Sequence, residues 1–301
     1  MADHDLSDRY RHPRELDRRA EGVWYSAALL DGTAVRVLVL APELRASVRH
    51  PERFFDALER AGRLTHPTFD VPRAWGQLAS GDLHAAFPDS GSMPLAPGLP
   101  AAEVAIAGEE IARALGPVHQ TGLAHGAISR GRLCRRPDGR LELREVGLLA
   151  ALISGGVEPR AAALALSETH YVSPEVQNGS VPDDRSDIYS LGAVLYEVLT
   201  GKPPYGGRTT AYLMASVLAE EEEATPTVET TNPVVDALVR AIEREPDDRW
   251  SSAAAFADAI AAGATRGSAS LAAPAKGAGR GCLPALVILA AAMAATMAAL
   301  P

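Results

Sequence analysis

The sequence predicts an α+β protein in which a β-rich small lobe precedes a helical large lobe. The clearest strand signal comes early, where Thr33–Leu40 (TAVRVLVL) alternates and is rich in β-branched residues. Helical signals dominate afterwards, with apolar residues at helical spacing over Pro51–Leu64 and Pro100–Gln120. A chain of 301 residues can bury the core of a two-lobed domain of roughly 250 residues and still carry a tail.

The remaining elements follow toward the C-terminus. Leu141–Val146 is a short predicted strand. Ser186 is the predicted N-cap of a long helix that Gly201 ends. Amphipathic helices are predicted at Pro233–Ile242 and Ala253–Ile260, which adds to the helical character of the large lobe.

Composition excludes several classes of protein. The formal net charge of −9 argues against a nucleic-acid surface. Cys134 and Cys282 lie far apart in sequence and indicate no disulfide framework, which suits a reducing cytosol. The charged N-terminus has no apolar core, so no signal peptide is expected. Lys202 and Lys276 are the only lysines, so none lies in the small lobe.

Three regions separate by composition. Residues 10–262 carry the periodic apolar patterning, and residues 263–281 are rich in Gly, Ala and Ser, as in a flexible linker. Residues 283–300 form an uncharged run that would span about 27 Å as a helix, close to the thickness of a bilayer core. We predict a single membrane helix there, with a packed Ala-rich helix as the alternative. Lys276 and Arg280 would keep the preceding domain cytoplasmic.

Several ordered motifs give the chain a family resemblance. Together they resemble the bacterial (Hanks-type) Ser/Thr protein kinases over residues 10–262, which implies the two-lobed protein kinase fold. The motifs are SPE at Ser173–Glu175, DIYSLG from Asp187, EPDDRW around Arg249, LTHP from Leu64 and GLAH ending at His125.

The resemblance implies structural roles for four of the residues in these motifs and for Gly147. In the family, Glu175 and Arg249 form a buried ion pair, and Asp187 accepts hydrogen bonds from the catalytic-loop backbone. His125 braces that loop, and Gly147 is the glycine of the metal-binding DFG motif. These residues report on folding rather than on chemistry, because breaking a buried ion pair costs about 3–5 kcal/mol.

By the same resemblance, the positions that bind the nucleotide in the family carry different residues in this chain. The glycine-rich loop falls on Leu16–Ala27, where only Gly22 remains of three glycines. The strand lysine falls on Leu38, and its glutamate partner falls on Ala57. Both ends of that ion pair are therefore apolar. Arg36, on the same strand face as Leu38, could reach the pocket, but its planar head is a poor substitute for a compact ammonium.

The catalytic loop and the metal-binding positions have changed as well. The catalytic aspartate falls on Ala127, which cannot accept a proton from a hydroxyl. The metal-binding asparagine falls on Arg132, and the DFG aspartate falls on Glu145. We predict that Arg132 and Glu145 pair where the family binds metal, with Glu145 as a magnesium ligand left as the alternative. Gly126 replaces the arginine that clamps a phosphorylated activation loop.

These departures predict a catalytically inactive pseudokinase that acts as a membrane-tethered scaffold or allosteric partner in bacterial phospho-signalling. The expected partner is a protein, either an active kinase or a phosphopeptide-binding module, and neither a cofactor nor nucleic acid is expected. Two alternatives stay open. One is an atypical ATP- and magnesium-dependent Ser/Thr kinase that uses Glu145, and the other is a nucleotide sensor without catalysis.

Overall fold

A five-stranded antiparallel sheet forms the small lobe in the computed structural model, which describes residues 6–204 and 232–271. The strand order is β1-β2-β3-β5-β4. One face of the sheet is covered by helix α2, whose buried side includes Phe54 and Leu58. The small-lobe elements are β1 Arg11–Arg19, β2 Gly22–Ala28, β3 Ala34–Leu40, α1 Pro42–Ser47, α2 Pro51–Gly62, β4 Ala74–Gln77 and β5 Leu83–Pro88.

The large lobe is built around two long helices, α3 and α7, which pack together in its core. A small sheet of order β6-β7-β8 lies at its junction with the small lobe. The predicted strand-then-helix order of the two lobes is therefore confirmed. The elements are β6 Met93–Pro94, α3 Ala101–Gln120, β7 Leu133–Arg135, β8 Leu141–Leu143, α4 Leu148–Ser154, α5 Pro159–Leu166, α6 Pro174–Gln177, α7 Asp184–Thr200, α8 Pro233–Ala241 and α9 Ala253–Leu271.

Helix α7 begins one turn earlier than the sequence predicted. Its N-cap is Asp183, whose carboxylate accepts a hydrogen bond from the Ser186 backbone N–H at 2.9 Å. The Ser186 hydroxyl in turn accepts a hydrogen bond from the Asp183 backbone N–H at 2.8 Å, which completes a capping box. Ser186 is thus the third residue of the helix and not its cap. Gly201 ends the helix in a left-handed conformation, as predicted.

Strand β8 is shorter than the predicted Leu141–Val146 because the backbone turns immediately after Leu143. Glu145 has φ +64° and Gly147 has φ +90°, both in the left-handed region that a strand cannot contain. For a glutamate this conformation is unusual, so the surrounding contacts have to hold it in place.

Helix α9 continues past Ile260 to Leu271, so the first nine residues of the segment predicted as a linker are helical. Residue 263 of this helix is a glycine because a Cβ there would come within 2.9 Å of the Val234 backbone nitrogen. Close approach of α8, not flexibility, explains this glycine. No helix within the described residues is long and apolar enough to cross a membrane, and the predicted span at 283–300 lies outside them.

The predicted ion pair between Glu175 and Arg249 forms in the large lobe. Both guanidinium Nη atoms of Arg249 donate to the two Glu175 carboxylate oxygens, each at 2.8 Å. The Arg249 side chain is fully buried, and it also donates to the backbone carbonyls of Glu243 and Arg244. The pair therefore fastens the α6 segment to the turn before α9.

We expect Arg249→Ala to destabilise the protein by about 3 kcal/mol or more, because it leaves Glu175 and several carbonyls without their donor. Glu175→Ala should act in the same direction, and the double variant should be clearly less destabilised than the sum. Chemical denaturation of the four proteins measures this coupling energy. The exposed pair Glu59–Arg63, at 2.5 Å, is the control and should give at most about 0.5 kcal/mol. Equal coupling in both cycles would contradict the buried-pair assignment.

Candidate functional site

The cleft between the lobes is lined by apolar side chains at three positions where a kinase needs charged ones. Leu38 on β3, Ala57 on α2 and Ala127 on the loop before β7 are all buried. They belong to one hydrophobic cluster that also contains Leu149 of α4. Because this cluster draws on both lobes, the cleft interior is packed like a protein core at these positions.

An aromatic side chain that the sequence analysis did not single out fills part of the cleft. Trp24 on β2 is 2% exposed, and its ring centroid lies 6.1 Å from that of Phe87 on β5. Its indole Nε1 donates to Glu21 at 3.0 Å, and the Arg36 guanidinium carbon lies 5.3 Å from the ring centroid. Trp24 therefore packs between the apolar cluster and the charged part of the cleft.

Arg36 reaches the cleft as predicted, and it contacts two buried carboxylates there. Its Nη2 lies 2.5 Å from Asp70 Oδ2, and its Nη1 lies 3.0 Å from Glu145 Oε1. All three side chains are at most 7% exposed. Asp70 has no counterpart among the predicted site residues, because its sequence context resembles an ordinary loop.

Arg132 pairs with Glu145 as the sequence predicted. Its Nε lies 2.6 Å from Glu145 Oε2, an ion-pair contact without hydrogen-bond alignment. The same guanidinium lies 3.5 Å from Glu21 and donates to the backbone carbonyl of Leu166 at the end of α5. Glu145 therefore has an arginine on each carboxylate oxygen.

The two carboxyl groups beside Arg36 differ in acidity. Burial disfavours ionisation of Glu145, but Arg132 and Arg36 outweigh it and hold the pKa of Glu145 at about 2. Burial raises the pKa of Asp70 above its usual range, against the opposing effect of Arg36. Asp70 is therefore the first of the two carboxylates to take up a proton as the pH falls.

Gly22, the remaining residue of the glycine-rich loop, has a structural reason to be glycine. Its φ is +150°, and a Cβ there would lie 2.0 Å from the Val39 carbonyl oxygen on β3. The close approach of β2 and β3 accounts for this residue without any phosphate.

The segment after Glu145 folds into α4 and α5, and two glycines make room for α4. A Cβ on Gly147 would lie 2.2 Å from the Ala61 Cβ on α2. A Cβ on Gly126 would lie 2.1 Å from Leu149 Cδ2 on α4. No arginine fits at residue 126 while Leu149 keeps this position, so the altered catalytic loop and the helical activation segment belong together.

His125 and Asp187 make the bracing contacts that the resemblance implied. The Asp187 carboxylate accepts hydrogen bonds from the backbone N–H groups of His125 at 2.8 Å and Gly126 at 2.7 Å. The His125 imidazole Nε2 lies 2.9 Å from the Arg144 carbonyl oxygen. Burial lowers the pKa of His125, which keeps the ring neutral.

These residues do not fit ATP and magnesium. Glu145, the one carboxylate at a predicted metal position, is already neutralised by two arginines, and one of them occupies the second metal position. Leu38 offers no cation for phosphates. Within the described part of the chain, no three His, Cys, Asp or Glu side chains are grouped as a metal site requires.

A cavity of about 400 Å³ remains beside Arg132. Its walls come from the turn at Arg19–Glu21, the loop around Ser129 and the end of α5 with the residues that follow. Ser167 lines it with a buried hydroxyl that has no hydrogen-bond partner. Arg19, Arg132, Glu21 and Glu168 bring equal numbers of positive and negative charges to the walls.

Comparison with known proteins agrees with this architecture. Residues 96–260 match the family model described as Protein kinase domain, which is more than half of the chain. The chain belongs to the protein kinase domain family. The match begins at residue 96, so it covers the large lobe and leaves out the small-lobe strands.

The curated relatives are bacterial kinases. A probable serine/threonine-protein kinase of Corynebacterium efficiens is 29% identical, over 84% of this chain and 41% of that protein. Serine/threonine-protein kinase PknA of Mycobacterium tuberculosis is 27% identical, over 85% of this chain and 62% of that protein. The chain thus spans less than two thirds of the length of these relatives.

A solved structure supports the fold. The kinase domain of Mycobacterium tuberculosis PknI aligns with a TM-score of 0.62 at 24% identity, over 83% of this chain and 94% of that chain. At this identity the likeness shows the two-lobed kinase fold alone. The predicted fold is therefore confirmed for the described lobes.

We expect Gly126→Ala to destabilise the protein by about 2–4 kcal/mol, because the new Cβ meets Leu149 and the left-handed backbone is strained. Thermal or chemical unfolding measures the loss. Gly122→Ala is the matched control, since Gly122 has φ +76° with nothing within 4 Å of an added Cβ. It should cost only about 1 kcal/mol.

Adding Leu149→Ala to Gly126→Ala should relieve part of the loss, so the two changes should not be additive. Strict additivity, or equal losses at Gly122 and Gly126, would show that α4 does not pack on the catalytic loop as described.

Proposed function

We propose that this protein kinase domain is a pseudokinase, and that it acts as a binding scaffold or allosteric partner in bacterial phospho-signalling. The observation that carries the proposal is the Glu145 carboxylate, which has Arg36 on one oxygen and Arg132 on the other. The two arginines neutralise the carboxylate at the position where a kinase binds magnesium and, through magnesium, ATP.

The chemistry of the loop supports the same proposal. Ala127 has no group that can orient a substrate hydroxyl or accept its proton. Leu38 and Ala57 replace the ion pair that positions phosphates, and both are buried in the apolar cluster of the cleft. Each loss alone would impair phosphoryl transfer, and together they remove the base and the ion pair that the reaction uses.

The relatives named as serine/threonine-protein kinases make an enzymatic role the alternative. An active form would need Glu145 to exchange two arginines for a metal ion, and it would have no base at residue 127. A nucleotide sensor would need no base at residue 127, but the two arginines would still occupy Glu145 in place of a metal ion. We therefore favour protein binding, with an active kinase or a phosphopeptide-binding module as the partner.

A membrane location is the second part of the proposal. The uncharged run at residues 283–300 is long enough to span a bilayer, and Lys276 and Arg280 precede it. This arrangement would make the chain a single-pass membrane protein with its kinase-like domain in the cytoplasm. A scaffold held at the membrane would meet its partners there.

We expect the purified protein to transfer no phosphate to itself or to generic protein substrates, because the base, the phosphate cation and the free metal ligands are all replaced. Incorporation of ³²P from labelled ATP with Mg²⁺ or Mn²⁺ measures this, beside an active bacterial Ser/Thr kinase as the positive control. Metal-dependent incorporation that Glu145→Ala abolishes would establish the atypical-kinase alternative.

Thermal-shift titration with ATP, with and without divalent metal, separates the remaining possibilities. No shift in melting temperature is expected for the scaffold. A saturable shift without phosphate transfer would favour the nucleotide sensor.

We expect the full chain to sediment with membranes and to resist carbonate extraction, because residues 283–300 would be embedded in lipid. A chain that ends after Leu271, where α9 ends, should be released to the soluble fraction with the same unfolding temperature. Fractionation and immunoblotting measure both. A full chain that is soluble without detergent would remove the membrane part of the proposal and leave the pseudokinase part intact.

A further inference from the structure

We propose that the charged side chains of the cleft hold the two lobes in one fixed relative orientation, so that the domain does not open and close. The interlobe cluster consists of Glu21, Arg36, Asp70, Arg132 and Glu145. This inference goes beyond the proposed function, because it concerns the motion of the lobes and holds whether or not a ligand binds.

The first connection runs from β3 to the large lobe. Arg36 projects from the small-lobe sheet and contacts Asp70 and Glu145 with its two Nη atoms. Glu145 belongs to the turn after β8. Asp70 is attached to the same turn, since its backbone N–H donates to the Leu143 carbonyl and its carbonyl accepts from the Val146 N–H, each at 3.0 Å. One small-lobe arginine is therefore held by two carboxylates whose backbones are joined to each other.

The second connection runs from the turn between β1 and β2. Glu21 lies 3.5 Å from Arg132 Nη2 and accepts a hydrogen bond from the Trp24 indole at 3.0 Å. Arg132 in turn contacts Glu145 and the Leu166 carbonyl. A small-lobe carboxylate is thus bound to a large-lobe cation that is itself tied to the activation segment.

The third connection lies at residues 89–92, the segment that leads from β5 of the small lobe to β6. The Ser90 hydroxyl donates to Glu142 on β8 at 2.6 Å, and the Ser92 hydroxyl also donates to Glu142. Arg144 Nε lies 3.0 Å from Ser92 Oγ. The segment between the lobes, about which they would rotate, is therefore hydrogen-bonded to β8 and Arg144, which lead directly to Glu145.

Opening the cleft would separate these pairs and also break the hydrophobic cluster that spans the lobes. Leu38 and Trp24 from the small lobe share that cluster with Ala127 and Leu149 from the large lobe. Exposing them to water is unfavourable. The ionic and apolar contacts therefore act together, and the closed arrangement needs no nucleotide to maintain it.

Distance measurement by double electron–electron resonance tests the proposal on the full chain in detergent. Nitroxide labels at Leu30→Cys and Val181→Cys report the lobe separation, since both side chains are more than 60% exposed. Cys282→Ser removes the other cysteine that could be labelled, because Cys134 is buried. We expect one narrow distance for this protein. In Arg36→Met/Asp70→Asn, which removes the bridge without leaving Asp70 charged, we expect a second, longer distance.

Hydrogen exchange of the same variant provides an independent readout. Peptides from β3 and from residues 145–170 should exchange at least about tenfold faster than in the unchanged protein, whereas peptides around Arg249 should not change. Arg113→Met is the matched control, because Arg113 also contacts two carboxylates, Glu109 at 3.0 Å and Asp258 at 2.9 Å, but within the large lobe. It should leave the interlobe distance unchanged.

Two results would overturn the inference. One is a distance distribution with two populations in the labelled protein that keeps Arg36 and Asp70. This result does not depend on whether the Arg36→Met/Asp70→Asn variant folds. The other is an unchanged distribution in a folded Arg36→Met/Asp70→Asn variant. Neither result bears on phosphate transfer, so the proposed function is judged separately.

Discussion

The Glu145 carboxylate is the group on which the rest of the cleft depends. It lies fully buried with a left-handed backbone, and both of its oxygens face arginines. Two unit charges about 3 Å apart attract by about 5.5 kcal/mol at an effective dielectric constant of 20. Burying each ion costs several kcal/mol, so the cluster gains little net stability. The cluster fixes geometry instead, because each buried charge is compensated only when its side chain lies next to its partner. The strained turn at Glu145, the position of Arg36 and the course of the activation segment all follow from that arrangement.

The activation segment shows how local changes depend on one another. Helix α4 packs on α2 and on the catalytic loop because Gly147 and Gly126 leave room for it. Ala57 and Ala61 present small side chains on the facing side of α2. At residue 126, an arginine would collide with Leu149, which removes the usual receptor for a phosphorylated loop. The apolar cleft and the helical segment thus support the pseudokinase proposal independently of the changed catalytic positions.

Sequence patterns predicted the fold well and the cleft only in part. The strand over Thr33–Leu40 and the helices of the large lobe follow from periodicity, and the pairs Glu175–Arg249 and Arg132–Glu145 follow from the alignment with kinases. Asp70, Glu21 and Trp24 could not be predicted, because they come from separate turns and strands that only the tertiary fold brings together. The glycine at 263 was misread for a related reason. A glycine in a Gly- and Ala-rich segment is typical of a linker, whereas the structure shows that the backbone at Val234 lies too close to this residue for a side chain.

The residues that persist from the kinase motifs share one property, which is that each has a structural task. Gly22 lets β2 approach β3, Gly147 lets α4 approach α2, and Asp187 binds the loop backbone at His125. The positions that serve only phosphoryl transfer, such as residues 38 and 127, carry apolar side chains that pack in the cleft. A motif match therefore reports two separate things, the requirements of the fold and those of the reaction, and the motif residues kept at Gly22, Gly147 and Asp187 meet the first.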